Sequence, residues 1–287
     1  MKEVMVVTDS LSPISPELAE EYDVIVVPYH LMFDGKDYLD NTFNREQLFA
    51  RLESYQNLPT HSACSTGEIL EAYKKASQRA KGILFISLSS TMSADYDVAL
   101  QAKETAKQEL PDATIEVVDS RSVGPGEMLV VLAAARAANE GKSLPEVAEI
   151  AHQVVKGLTS VHVPETLFFF ERSGRSGGEP SIAKAPIPIY PLLEMDAASG
   201  GKGSFISKNR TKAKAKEALL EMVRGKSGSK KLHVAINYTN NPEEAEALKK
   251  KLLSQFEVSE LHITEWSSVG CVVCGPRCVS LGFYSED

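Results

Sequence analysis

Several things are scarce or missing in this 287-residue chain. No apolar run approaches the roughly 20 residues that a membrane-spanning helix needs, so no such helix is expected. The apolar stretch Val4-Met5-Val6-Val7 is ended at once by Thr8-Asp9-Ser10. It is shorter than the apolar region of a signal peptide and lacks a small-residue cleavage site, so it reads as a strand of a cytoplasmic protein. Surplus positive charge is missing too: 31 Lys and Arg face 39 Asp and Glu, a net charge of −8. That balance argues against nucleic acid or an anionic membrane as the main partner. There is no G-x-x-x-x-G-K-[ST] phosphate loop and no G-x-G-x-x-G turn after the first strand, which removes two nucleotide-binding signatures. Six histidines are scattered along the chain and give a Ser/His/Asp triad no positive support. Cysteine is limited to Cys64, Cys271, Cys274 and Cys278, and in a cytosolic chain disulfides are not expected.

What is present is an ordinary globular composition, 43% hydrophobic and 24% charged. The length favours two domains. The stretch Pro59–Gly67 gathers hydroxyl, imidazole and thiol side chains into one loop. Ser65 and Glu68 have the spacing of a capping box, which predicts a helix from Glu68 to Ala80. Taken alone, this is a capped loop. Buried strands are expected at Val4–Val7, Val24–Val27, Ile83–Ile86 and Ile115–Val118. Helices are expected between them, after Ser15-Pro16, over Asn44–Tyr55 and over Asp95–Glu109, with Glu127–Asn139 and Leu144–Gly157 to follow. Asp34-Gly35 marks a hairpin turn.

Strands alternating with helices predict an α/β fold with a doubly wound parallel sheet over residues 1–157. In such sheets ligands sit beyond the carboxyl ends of the strands. Polar clusters follow Val7, Ile86 and Val118, all at that edge, and Ser87–Ala94 alone holds five hydroxyls in eight residues. Hydroxyls with helix N-terminal amides can hold a carboxylate or phosphate without a buried counter-charge.

Residues 158–287 read as a second α/β domain. Val161–Val163 suits a strand, and Leu167–Phe170 is an aromatic run suited to a wall or flap. The loop Glu171–Gly178 follows, and the proline-interrupted stretch Ile187–Leu193 reads as an irregular edge. Arg210–Val223 and Pro242–Gln255 read as helices, Leu232–Asn237 and Val258–Thr264 as strands.

In this order and spacing the motifs resemble the DegV family of bacterial fatty-acid-binding proteins. Val6–Ser10 resembles its first strand and Thr-Asp-Ser turn, and Pro59–Gly67 its Thr-Ser-Gln-Pro-Ser loop. Ser89–Ala94 resembles its Ser-Ser-Gly-Leu-Ser-Gly loop, Ser173–Ser176 its Gly-Gly-Arg-Ile-Ser, and Gly275-Pro276 its terminal His-Thr-Gly-Pro-Gly. The resemblance implies a two-domain fold with a lipid tunnel near the boundary and a bound long-chain fatty acid. It implies no catalysis by this chain: a separate ATP-dependent kinase subunit would convert the presented carboxylate to an acyl phosphate for phospholipid synthesis. Transient membrane contact for lipid exchange would follow. The resemblance places His61, Ser62, Ser93, Ala94, Val273 and Gly275 around the carboxylate, and Arg175 and Arg210 near the exit, against the kinase or phosphate. No cofactor or metal is implied.

The chain departs from the family pattern. His61 replaces threonine, Ala63-Cys64 replaces Gln-Pro, Val273 stands where the histidine belongs, and Arg277 replaces the second glycine. One reading is an exchange in which the imidazole has moved from the terminal loop to His61. The other leaves His61 facing solvent. An alternative function uses His61 with Cys64 and the Cys271-x2-Cys274-x3-Cys278 cluster for metal binding or hydrolysis.

Overall fold

Val4, Met5, Val6 and Val7 are all buried, the mark of a strand covered on both faces. They lie in β1 (Lys2–Asp9). The computed structural model describes residues 1–175 and 189–286. The chain continues through α1 (Pro16–Tyr22), β2 (Val24–Val27), β3 (His30–Phe33), β4 (Lys36–Leu39), α2 (Arg45–Ser54), β5 (Thr60–Ser62) and α3 (Thr66–Ser77). Then come β6 (Ala80–Ser87), α4 (Asp95–Glu109), β7 (Thr114–Asp119), α5 (Pro125–Asn139), α6 (Leu144–Gly157), β8 (Thr159–Val163) and α7 (Phe168–Ser173). The remainder is β9 (Tyr190–Glu194), β10 (Ser204–Asn209), α8 (Lys212–Ser227), β11 (Leu232–Tyr238), α9 (Pro242–Gln255), β12 (Val258–Glu265), α10 (Ser268–Cys274) and β13 (Val279–Ser285).

A parallel sheet runs β2-β1-β6-β7. Val7 of β1 sits beside Ile25 of β2 and Phe85 of β6. The strand order reverses between β1 and β6, so a crevice is expected beyond their carboxyl ends. Beside it lies a small antiparallel sheet, β4-β3-β5. Its hairpin turns at Asp34 (φ 49°) and Gly35 (φ 76°), two positive values as the Asp-Gly pair predicts. The third sheet is mixed, in the order β10-β9-β8-β13-β11-β12.

Helix α5 joins the two large sheets. Among its residues only Arg136 and Asn139 escape burial. A helix apolar all round must be covered all round, and α5 packs on β1 as well as on β11 and β13. One apolar core runs from Met5, Leu31 and Phe85 to Phe169, Trp266 and Cys278. The early and late segments of the chain thus share a core.

One sequence expectation changes. Ile187–Leu193 was expected to be an irregular edge. Its described part, Tyr190–Leu193, is regular strand in β9, while Ile187 and Pro188 lie outside the described residues. Pro191 fits because β9 pairs with β8 only at Glu194 and Leu193, so the missing N–H falls beyond the doubly paired segment. The aromatic run is the start of a short helix, α7, with Phe169 and Phe170 buried. Of the loop that follows, Ser176, Gly177 and Gly178 lie outside the described residues.

Candidate functional site

The loops beyond β1, β6 and β7 are tied to one another before any ligand is considered. Asp9 accepts the backbone N–H of Leu11 at 2.8 Å and of Leu88 at 3.0 Å, which joins the first loop to the second. Asp119 accepts the N–H and hydroxyl of Ser90 at 3.2 and 2.5 Å. The hydroxyls of Ser89 and Thr91 both donate to the Gly201 carbonyl, at 2.7 and 2.6 Å. Most of the hydroxyl cluster is therefore internal fastening. Ser93 differs: its Oγ lies 3.0 Å from the Tyr29 hydroxyl and accepts the Asp95 N–H at 3.3 Å.

The Pro59–Gly67 loop divides in the same way. Ser65 and Glu68 form the capping box that opens α3. The Cys64 thiol faces the carbonyls of Val27 and Pro28 at 3.6 and 3.5 Å. His61 and Ser62, on β5, are left for the site. Two arginines fasten the backbone around the site. Arg172 donates to the carbonyls of Pro59 and Leu58, both at 3.1 Å, and Arg175 donates to the Met92 carbonyl at 3.2 Å. Burial lowers the His61 pKa to about 4, and the charges of Arg175 and Arg172 add to the effect. His61 is neutral at pH 7.

These groups line a cavity of about 200 Å3. Of the residues singled out from the sequence, His61, Ser62, Ser93, Ala94, Val273 and Arg175 are on its wall. Gly275 and Arg210 are not. Gly275 ends α10 at φ 76°, and its carbonyl accepts the Thr239 hydroxyl at 2.7 Å. The Phe169 ring lies 2.2 Å from where a Cβ would stand, so this glycine serves close packing. Arg210 is exposed between β10 and α8.

Sequence reasoning missed part of the wall. Tyr29, His162, Trp266, Leu11 and Val123 all line the cavity, with Phe170 from the aromatic run. Leu11, Leu88 and Val123 follow β1, β6 and β7, which puts the cavity at the strand-order reversal. Trp266 is held in a slot of missing side chains. A Cβ on Gly124 would lie 2.0 Å from its ring, and one on Gly270 2.4 Å. Its being the only tryptophan was the one available signal.

Beneath the wall lie three buried carboxyls, Asp9, Asp95 and Glu127. Burial raises all three, and each raises at least one of the others or is raised by it. Carboxyls so placed are favoured in their neutral form.

A family model described as an uncharacterised protein of the DegV family matches residues 3–286. The chain belongs to the DegV family. A DegV domain-containing protein of Clostridium perfringens (strain 13 / Type A) is 28% identical over 284 residues, 99% of each chain. One from Streptococcus pyogenes serotype M1 is 27% identical over 280 residues, 96% of each. Among solved structures, a fatty-acid-binding DegV family protein from Thermus thermophilus matches with a TM-score of 0.89 at 26% identity, covering 100% of both chains. A stearic-acid-binding protein from Eubacterium ventriosum shares the fold, with a TM-score of 0.88 at 20% identity over 98% of each chain.

The cysteines of this DegV chain are all free thiols and all buried. Cys274 and Cys278 lie within hydrogen-bond reach of each other. Cys271 lies 3.3 Å from Arg45 Nη1 and 3.7 Å from the Trp266 carbonyl, while Cys278 lies 3.7 Å from the Ser280 hydroxyl. Among the described residues no three His, Cys, Asp or Glu side chains converge in a way that could hold a metal ion. Among them, too, no helix is long and apolar enough to cross a membrane.

Proposed function

We propose that this protein binds a long-chain fatty acid, holding its carboxylate at Ser93, Ser62 and His61. It presents that carboxylate to a separate ATP-dependent kinase subunit for conversion to an acyl phosphate, in the cytoplasm. The observation that carries the reading is the make-up of one cavity. Ser93, Tyr29, Ser62 and neutral His61 lie on a wall otherwise built largely from residues such as Leu11, Leu88, Val123, Phe170 and Trp266. Tail burial supplies the affinity, about 0.8 kcal/mol per methylene, and the polar groups fix the head. The fatty acids bound by the Thermus thermophilus and Eubacterium ventriosum proteins support the same ligand class.

In this reading residues 1–157 supply the head-group side and residues 158–287 the aromatic wall. The imidazole of His61 takes over from the family histidine: His61 and Val273, which stands at that histidine's place, line the same cavity. Arg175 meets the phosphate or the kinase at the mouth, and Arg210 extends that surface. Contact with the membrane is transient and serves lipid exchange. Hydrolysis is the weaker reading. The side-chain partner of Ser93 is the Tyr29 phenol, not a base, and burial pushes that phenol well above its ordinary pKa.

Native mass spectrometry of the purified protein should find a copurified fatty acid, and ester substrates should not turn over. Ser93→Ala and His61→Ala should each weaken fatty-acid affinity about threefold to tenfold, the size of one or two lost hydrogen bonds. Unchanged binding in both variants sinks the carboxylate assignment.

A further inference from the structure

The cavity wall carries one polar side chain that the carboxylate site does not use. His162, on β8, is completely buried and lines the cavity. Its ring is flanked by Trp266, with centroids 5.8 Å apart, and by Phe170 at 6.4 Å. Among the described residues it shares no hydrogen-bond partner with Ser93 or His61. Burial alone drives its pKa down to about 3, so it is a neutral imidazole with one donor nitrogen and one acceptor.

Only one of those nitrogens is well satisfied. Nδ1 lies 2.9 Å from the Ser280 hydroxyl, which also accepts the Trp266 indole N–H at 3.3 Å. Among the described residues Nε2 has only the Ser160 hydroxyl, at 3.5 Å, the outer limit of a hydrogen bond. A wall meant for plain methylenes gains nothing from such a group, because a buried, poorly paired polar atom is costly.

We propose that His162 is a polar subsite within the acyl cavity, and that the preferred ligand is a fatty acid bearing a hydroxyl on its tail. The inference rests on the fatty-acid reading above and names its ligand class. A hydroxyl can donate or accept, so it satisfies Nε2 in either tautomer. The aromatic rings of Trp266 and Phe170 cover the methylenes on either side.

The test is a displacement assay with stearate and a set of hydroxystearates that differ in hydroxyl position, read against a fluorescent fatty acid. At least one positional isomer should bind about threefold to tenfold tighter than stearate, the return of one hydrogen bond. In His162→Leu that preference should vanish, the hydroxystearates losing affinity relative to stearate measured in the same variant. Ser160→Ala, which removes the one weak partner of Nε2, should widen the preference and serves if His162→Leu fails to fold. If stearate binds and no isomer exceeds it, or if the preference survives in His162→Leu, the subsite is refuted and the fatty-acid reading stands. If neither stearate nor any isomer binds, both fall.

Discussion

Replacing Gly124 by alanine separates two effects that the Trp266 slot combines. Gly124 sits just before α5 at φ 64°, ψ −124°, a region that side chains other than glycine rarely adopt. The new Cβ would lie 2.0, 2.4 and 2.9 Å from three ring carbons of Trp266. Backbone strain costs about 1 to 3 kcal/mol, and forcing the ring aside costs about 1 to 3 kcal/mol more. Gly35→Ala is the control. It has φ 76° and nothing within 4 Å of the new Cβ, so it carries strain alone. Urea unfolding followed by far-ultraviolet circular dichroism should show Gly124→Ala less stable than Gly35→Ala by about 1 to 3 kcal/mol. Trp266 is the only tryptophan, so its fluorescence should shift in the Gly124 variant and stay unchanged in the control. Adding Trp266→Leu should recover the packing part of the loss and leave the strain. The slot is refuted if the two glycine variants cost the same and the emission does not move.

Two further outcomes follow from other parts of the molecule. Tyr29→Phe removes the hydroxyl 3.0 Å from Ser93 Oγ and should lower fatty-acid affinity about fivefold, checked by titration with a fluorescent fatty acid, with little change in unfolding midpoint. Burial raises the pKa of Glu260, but hydrogen bonds from His233, His262 and Arg136 outweigh it and hold the carboxyl well below its ordinary 4.5. Arg136 grips it at 2.7 and 3.0 Å and His233 at 2.6 Å. The unfolded chain therefore takes up this proton first. The stabilisation is whole above pH about 4.5 and is lost as pH falls below that toward the folded value. Glu260→Gln should cost about 1 to 3 kcal/mol at pH 7, and its denaturation midpoints should fall less steeply below pH about 4.5 than those of the native chain.

The central strands β1 and β6 were readable because a strand buried on both faces leaves an unbroken apolar run. The capping box and the Asp34-Gly35 turn were readable because each is complete within four residues. Long-range use was hidden. Ser89, Ser90, Thr91 and Ser93 look alike in the chain, yet the first three are bound to Gly201 or Asp119, and only Ser93 meets Tyr29. Asp9 and Asp119 stand in apparent ligand-binding turns and instead fasten loops. The slot around Trp266 needs Gly124 and Gly270 from distant segments, and nothing local to either marks it. Pro191 argued against a regular strand until the limited pairing of β9 with β8 was known.

Trp266, Gly270, Val273 and Cys274 complete a cavity whose other walls begin at Leu11. A ribosome releases the chain in the same order, Leu11 long before Cys274. The nascent protein therefore exposes an unfinished apolar trough through most of its synthesis. Through most of that time the residues that would cover it have not yet been made. A ligand is fully enclosed only when Leu11 and Cys274 stand in the same folded chain.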